Sequence, residues 1–121
     1  MTTSALRAAE SLEADGIAAA VLHVHTVKPL DEQALIAAAQ RVSLVVSVEE
    51  HSRIGGLGSA VAEALLDAQV PTPLLRLALP DRFMHDYGSQ EHILTQAGLL
   101  PTQIAASVRA RLADRKLLLA R

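Results

Sequence analysis

The part of the sequence most able to do chemistry is a glycine-rich run with the sequence EEHSRIGGLGS at residues 49–59. It lies between a β-branched stretch and a stretch of helix-forming residues. Glycines at such a turn bring backbone amides close to a ligand, and free N–H groups at a helix start attract anions. The run matches neither GxGxxG nor GxxxxGK[ST], so the glycines could instead supply positive φ angles and close helix–sheet packing. The predicted anion-binding residues are Gly55, Gly56, Gly58 and Ser59.

The same run begins with three residues that could act as an acid/base cluster: Glu49, Glu50 and His51. Strand ends in parallel sheets are where such sites form. Adjacent residues of an extended segment point in opposite directions, so only Glu49 and His51 are predicted to share a side. Because no partner constellation can be named for them, we predict no catalytic residue in this chain. The alternative interpretation is a hydrogen-bonded strand terminus.

A His-x-His pair, His23 and His25, is the weak candidate for a metal site. On a strand both imidazoles would face the same side and could chelate zinc or copper. A third ligand would have to come from His51, His85 or His92, and their spacing supports none of them. We therefore predict no metal site and interpret the pair as polar residues at a strand end.

A charged loop at residues 81–89 holds both of the aromatic residues, Phe83 and Tyr87. Loops carry function more often than cores do. The two rings are predicted either to plug one end of the domain or to be anchors buried against a partner.

The pattern of apolar and turn residues predicts alternating helices and strands, with Asp31 and Ser89 as helix N-caps and Gly98 as a helix stop. Strands separated by helices indicate a parallel sheet with helices on both faces, an α/β fold. Three strands are few for such a sheet and the first element is a helix, so a missing or borrowed edge strand is expected. The predicted helices are residues 4–14, 31–41, 57–67, 89–98 and from 101 onward; the predicted strands are 17–25, 43–48 and 74–79.

Size and composition exclude several functions. The chain has 121 residues, which is enough for a single domain spanning residues 1–121. Aromatic residues make up 2% and the net charge is −2, which argues against nucleic-acid binding. The absence of cysteine excludes disulfides, a thiolate nucleophile and cysteine-based zinc sites. No leader-like or membrane-spanning run is present, so we expect a soluble cytoplasmic protein.

Taken together, four stretches resemble the C-terminal domain of the transketolase family, the thiamine-diphosphate enzymes. The resemblance covers roughly residues 4–112, and its most specific part is the run VEEH…GGLGSAVAE at residues 48–63. Within the family, the sequence most resembles the C-terminal section or subunit of a transketolase. The stretches are residues 5–12 with Gly16 and Ile17, the turn TVKPLD at residues 26–31, residues 45–63, and residues 77–83 with Gly88, Gly98 and Leu99.

The resemblance implies a three-layer α/β/α domain with a mixed, mostly parallel five-stranded sheet. It implies that thiamine diphosphate and a divalent metal are bound in the complete enzyme by the preceding domains, and that no cofactor is bound by this chain. The chain would then be a non-catalytic assembly domain of an enzyme that transfers a two-carbon ketol unit between sugar phosphates. Its expected partners are the cofactor-binding domains or subunit of the same enzyme, in a homo-oligomer without nucleic acid or membrane.

The resemblance leaves alternatives and shows departures. Relatives that make deoxyxylulose phosphate, and 2-oxoacid dehydrogenase beta subunits, share the double glycine, so the chain could instead be the C-terminal domain of either. A further alternative is a regulatory module that binds an anionic effector through residues 55–59. The family usually has a strand ending in glycine before the first helix, where this sequence has MTT at residues 1–3. His23 and His25 stand where relatives commonly carry an acidic residue and an arginine. An isolated chain with an uncovered sheet edge is predicted to self-associate.

Overall fold

The fold is a small parallel sheet with helices packed on both of its faces. The computed structural model describes residues 1–83 and 88–119, with side chains described up to residue 115. Within these ranges helices and strands alternate through the middle of the chain, as the sequence predicts. The elements are α1 (Thr2–Glu13), α2 (Glu32–Ala39), β1 (Val45–Ser52), α3 (Leu57–Asp67), β2 (Leu74–Leu79), α4 (Gln90–Ala97) and α5 (Pro101–Leu119).

The two strands pair in parallel through a ladder that is regular at first and then shifts. Val45 lies opposite Leu74 and Val48 opposite Leu77, and the register shifts before Ser52. β1 is therefore longer than the predicted strand at residues 43–48, because its polar second half still follows β2. The strands are rich in Val and Leu, which suit a sheet covered on both faces.

Two separate hydrophobic clusters occupy the two faces of the sheet and produce three layers. On one face, α1 and α5 pack against Val46, Val48 and Leu77. On the other face, α2 and α3 pack against Val45 and Leu74. The alternation of Val45 and Val46 between the two clusters follows from the two-residue period of a strand. The predicted three-layer α/β/α architecture is confirmed.

Local capping signals set the helix boundaries as predicted. The Asp31 carboxylate accepts a hydrogen bond from the Ala34 amide at 3.0 Å. The Ser89 hydroxyl accepts one from the His92 amide at 3.3 Å. Gly98 ends α4 in the left-handed conformation, with φ of 72°, which costs glycine little because it has no Cβ.

The predicted strand at residues 17–25 is wrong: this segment has no strand assignment. Among the described residues, 18–27 make no backbone–backbone hydrogen bond, whereas β1 is paired to β2. A strand exists only where a neighbour accepts and donates its backbone hydrogen bonds. Leu22 in this segment is 50% exposed, although its sequence is apolar. The sheet in the described residues therefore has two strands, not the three predicted or the five that the resemblance implies.

Candidate functional site

The candidate site lies where β1 leads into α3 through a short glycine-containing turn. Gly55 adopts a φ of 77°, a left-handed conformation that favours glycine. Gly56 is the N-cap residue of α3 and has no side chain with which to cap the helix. The first amides of α3 therefore need an acceptor from elsewhere in the chain.

That acceptor is the carboxylate of Glu49. Its two oxygens accept hydrogen bonds from the amides of Leu57, at 2.6 Å, and Gly58, at 2.8 Å. Glu49 is only 7% exposed, and its carboxylate faces these two donors at the positive end of the α3 dipole. Glu49 thus acts as a helix cap supplied from the neighbouring strand.

Two glycines make room for this buried carboxylate. A Cβ atom at Gly56 would collide with the Glu49 carboxylate and would lie 2.9 Å from His51 Nδ1. A Cβ atom at Gly58 would lie 2.7 Å from Ser47 Oγ and 3.0 Å from Arg76 Nε. The glycines therefore supply both a positive φ and close helix–sheet packing, which is the alternative interpretation of the run.

A hydrogen-bonded network then fastens the turn to β2. The Gly55 amide donates to Ser59 Oγ at 3.0 Å, and Arg76 Nη2 donates to the same hydroxyl at 2.9 Å. Arg53 and Arg76 bond reciprocally, because each guanidinium donates to the backbone oxygen of the other residue. The turn is thereby held at both of its ends.

Two polar atoms beside Gly58 have no such partner. Ser47 Oγ and Arg76 Nε are buried and, within the described part of the chain, lack a hydrogen-bond partner. Both atoms line the space next to the Glu49 carboxylate, so the inside of the site is polar.

The structure brings the predicted anion-binding residues together but engages the Gly55, Gly58 and Ser59 amides internally. The amides of Leu57 and Gly58 are bonded to Glu49, and that of Gly55 to Ser59. An external anion would have to displace the Glu49 carboxylate from the helix terminus. Anion binding stays a prediction, and the observed geometry is that of an internal cap.

The acidic cluster divides in the way expected of an extended segment. Glu49 and His51 both approach Gly56, which confirms that they share a side. Glu50 points elsewhere and accepts two hydrogen bonds from Gln90 Nε2, at 2.9 and 2.8 Å. His51 Nδ1 lies 3.1 Å from the Ser52 carbonyl oxygen. Each of these three side chains is engaged in a structural contact.

The His-x-His pair lies on the unpaired segment at residues 17–25. His23 Nδ1 shares a hydrogen bond of 2.9 Å with Thr2 Oγ1, and His25 Nδ1 shares one of 2.7 Å with Thr26 Oγ1. The ring centroids are 6.3 Å apart. No group of three or more metal-binding side chains occurs among the residues that the structure describes. His85, one of the possible third ligands, lies outside those residues.

The loop at residues 81–89 is only partly described. Phe83 is 89% exposed, so it does not plug the domain. Tyr87 lies outside the described residues. An exposed ring is compatible with the alternative prediction, an anchor against a partner, which stays a prediction.

Sequence reasoning missed Arg76 as a residue of the site. It is the single charged residue in the strand sequence LLRLAL, and a charge in an otherwise apolar strand is a usable signal because it requires buried partners. Ser47 was missed for the opposite reason, since a serine in a strand is common.

No helix in residues 1–83 and 88–119 is long and apolar enough to cross a membrane.

Comparison with known proteins gives a consistent family. A protein-family model described as "Transketolase, C-terminal domain" matches residues 1–104. The chain is 44% identical over 117 residues to a 1-deoxy-D-xylulose-5-phosphate synthase from a Synechococcus strain, covering 97% of this chain and 18% of that protein. It is 47% identical over 105 residues to the enzyme of the same name from Syntrophotalea carbinolica, covering 87% of this chain and 16% of that protein.

A solved structure gives the same result. A protein described as "Split gene transketolase, inactive beta4 tetramer" superimposes with a TM-score of 0.79 at 41% sequence identity. The match covers 93% of this chain and 35% of that one. The chain therefore spans less than a fifth of the length of the two synthases and about a third of the solved chain.

Proposed function

Because the chain belongs to the transketolase family through its C-terminal domain, we propose that residues 1–121 form one non-catalytic assembly domain of a larger thiamine-diphosphate enzyme. In this proposal the complete enzyme works in the cytoplasm and belongs to one of two branches: the deoxyxylulose-phosphate synthases, or the transketolases, which transfer a two-carbon ketol unit between sugar phosphates. The two synthases compared above favour the deoxyxylulose-phosphate branch of the family over the transketolases proper. The 41% sequence identity to a split-gene transketolase supports the transketolases proper as the alternative branch.

The observation that carries the non-catalytic role is the internal use of the site. The Glu49 carboxylate, the residue best placed for acid/base work, is buried and bonded to two amides of α3. A general base must instead be able to reach a proton of the substrate. The site therefore supports the turn between β1 and α3.

Thiamine diphosphate and its metal do not fit the residues described here. A diphosphate needs free amides or cationic side chains, but the amides at the start of α3 are bonded to Glu49. A divalent metal needs several oxygen ligands, and no suitable group of three occurs in the described ranges. In our proposal both belong to the rest of the enzyme, and this chain contributes surface for assembly into an oligomer.

The test is a domain replacement in the Syntrophotalea carbinolica synthase, whose matching segment is 47% identical to this chain. The segment is replaced by residues 1–121, and the chimera is compared with the parent enzyme and with a truncated enzyme lacking the segment. We expect the chimera to elute at the size of the parent and to retain synthase activity, while the truncated enzyme loses both. A chimera that behaves like the truncated enzyme would refute the proposal.

A second measurement addresses the isolated chain. Calorimetric titration with thiamine diphosphate and Mg²⁺ should give no binding heat, and saturable binding would contradict the assignment of the cofactor to other domains. Titration with inorganic phosphate, followed by amide shifts of residues 55–59, tests the effector-binding alternative. That alternative requires saturable shifts at millimolar phosphate.

A further inference from the structure

The start of α3 holds more buried hydrogen-bond donors than the carboxylate beside it accepts from. Glu49 accepts hydrogen bonds from the amides of Leu57 and Gly58. Two further donors, the Ser47 hydroxyl and the Arg76 Nε–H, are buried and have no partner in the described part of the chain. Ser47 is only 6% exposed. Because an unpaired buried donor is costly, a further acceptor is needed at this point of the fold.

The unpaired donors lie around the same point as the carboxylate. The position that a Cβ atom would take on Gly58 lies 2.7 Å from Ser47 Oγ, 3.0 Å from Arg76 Nε and 3.0 Å from Glu49 Oε1. Ser47 and Arg76 are also opposite each other in the ladder of β1 and β2. A rotation of the Glu49 side chain toward these two residues would give the carboxylate an ion pair and a hydrogen bond. Glu49 therefore has two alternative sets of buried partners, the amides of α3 and these two side chains.

The space that Glu49 would vacate borders the exposed side chain of His51. A Cβ atom on Gly56 would collide with Glu49 Oε2 and would lie 2.9 Å from His51 Nδ1, so the carboxylate and the imidazole meet at this glycine. Glu49 is buried, whereas His51 is exposed. The Leu57 amide, 2.6 Å from Glu49 Oε2, forms the inner wall of the space, and the imidazole forms its outer wall.

The groups that line this space suit an anion. His51 Nδ1 lies 3.1 Å from the Ser52 carbonyl oxygen, and because a carbonyl only accepts, Nδ1 carries a proton and is a donor. The Leu57 amide is a second donor, at the positive end of the α3 dipole. With Glu49 paired to Arg76, their opposite charges balance and the helix terminus is left positive. Free N–H groups at a helix start bind phosphate-type anions.

We infer that a phosphate-type anion binds between the Leu57 amide and the His51 imidazole, and that Glu49 is a gate that turns onto Ser47 and Arg76 when the anion enters. In the structure described above the gate is closed, with Glu49 on the amides of α3. The anion supplies the missing acceptor, so the buried donors on both sides of the gate gain a partner. This site is additional to the assembly role proposed above and does not depend on it. Free phosphate and the phosphate group of a sugar phosphate share the required chemistry.

The gate is tested on the full chain by titration with inorganic phosphate, followed by the amide shifts of Leu57 and Gly58. Sodium chloride at equal ionic strength is the blank, because it screens surface charges to the same extent. We expect saturable shifts at millimolar phosphate in the parent. Glu49→Gln should bind phosphate at least about tenfold more tightly, since a neutral side chain competes less for the amides and the open state is more populated. Circular dichroism verifies that this variant is folded.

His51→Gln tests the outer wall and leaves the buried partners of Glu49 in place. It should weaken phosphate binding at least about fivefold, because one donor to the anion changes its geometry. His25→Gln is the matched control, since His25 is also exposed but bonds to Thr26 on another segment, and it should leave the affinity unchanged. Equal affinity of the parent and Glu49→Gln would overturn the gate, and so would the absence of saturable shifts in both.

Ribose 5-phosphate, used in place of inorganic phosphate, distinguishes the two sources of the anion. Binding of the ester at least about tenfold more tightly upholds the site and assigns it to a sugar phosphate, whereas equal affinity upholds it for free phosphate. A chimeric synthase that assembles, combined with a chain that binds neither probe, would refute the anion site alone. A chain that binds phosphate, combined with a chimera that fails to assemble, would refute the assembly role alone.

Discussion

Substitution of Glu49 by glutamine tests the central interaction of the site. The carboxylate accepts hydrogen bonds from two amides of α3, at 2.6 and 2.8 Å, in a position that is 7% exposed. Glutamine keeps the shape but has one oxygen instead of two and carries no charge. One buried amide is left facing an NH₂ group, and the stabilisation of the helix dipole is lost.

The magnitude follows from these two losses. A hydrogen bond to a charged group contributes about 1.5–3 kcal/mol, and the charge at a helix N-terminus contributes about 0.3–1 kcal/mol. Since one oxygen remains as an acceptor, we expect Glu49→Gln to lower the free energy of unfolding by about 2–3 kcal/mol. For a domain of this size that corresponds to a Tm lower by about 8–12 °C.

The measurement is urea denaturation followed by far-ultraviolet circular dichroism, with a thermal scan as a second readout. Glu50→Gln is the matched control, because Glu50 is exposed and, among the described residues, its carboxylate accepts hydrogen bonds from Gln90. It should change the free energy of unfolding by less than about 0.5 kcal/mol. If Glu49→Gln melts within about 2 °C of the parent, the capping role assigned to the carboxylate is incorrect.

Three further outcomes are expected. Gly56→Ala should lower the free energy of unfolding by about 1–3 kcal/mol, because the added Cβ collides with the Glu49 carboxylate. The loss should be smaller in a Glu49→Ala background. Equal losses in the two backgrounds would show that the collision is not the cause. Asp31→Ala should lower stability by about 1 kcal/mol because α2 loses its N-cap, and urea denaturation measures it. Addition of equimolar zinc should leave the Tm of the protein unchanged, because we predict no metal site at His23 and His25. A zinc-dependent rise in Tm that is abolished by His25→Ala would contradict that prediction.

Elements with strong local signals were predictable from the sequence. The predicted bounds of α3 and β2 coincide with the observed ones, Leu57–Asp67 and Leu74–Leu79. Glycines precede α3, and prolines flank β2. These residues restrict the backbone without help from the rest of the fold.

The contents of the site were less predictable because they depend on distant pairs. Glu49 lies eight residues before the first amide that it caps, and the chain must turn through Gly55 to bring the two together. The usable signal was a glycine at the N-cap position, since a helix start without its own capping side chain requires another acceptor. The link between Arg53, just after β1, and Arg76, in β2, has no signal in local sequence spacing.

The segment at residues 17–25 shows most clearly what local sequence can and cannot determine. Its apolar residues predict a strand covered on both faces. Among the described residues, however, residues 18–27 form no backbone–backbone hydrogen bonds, and Leu22 is 50% exposed. Apolar content reflects the surroundings in which a segment is stable, whereas a ladder requires a neighbour to be present. Apolar content therefore predicts that the segment tends to be buried, but whether it pairs as a strand has to be read from its backbone hydrogen bonds.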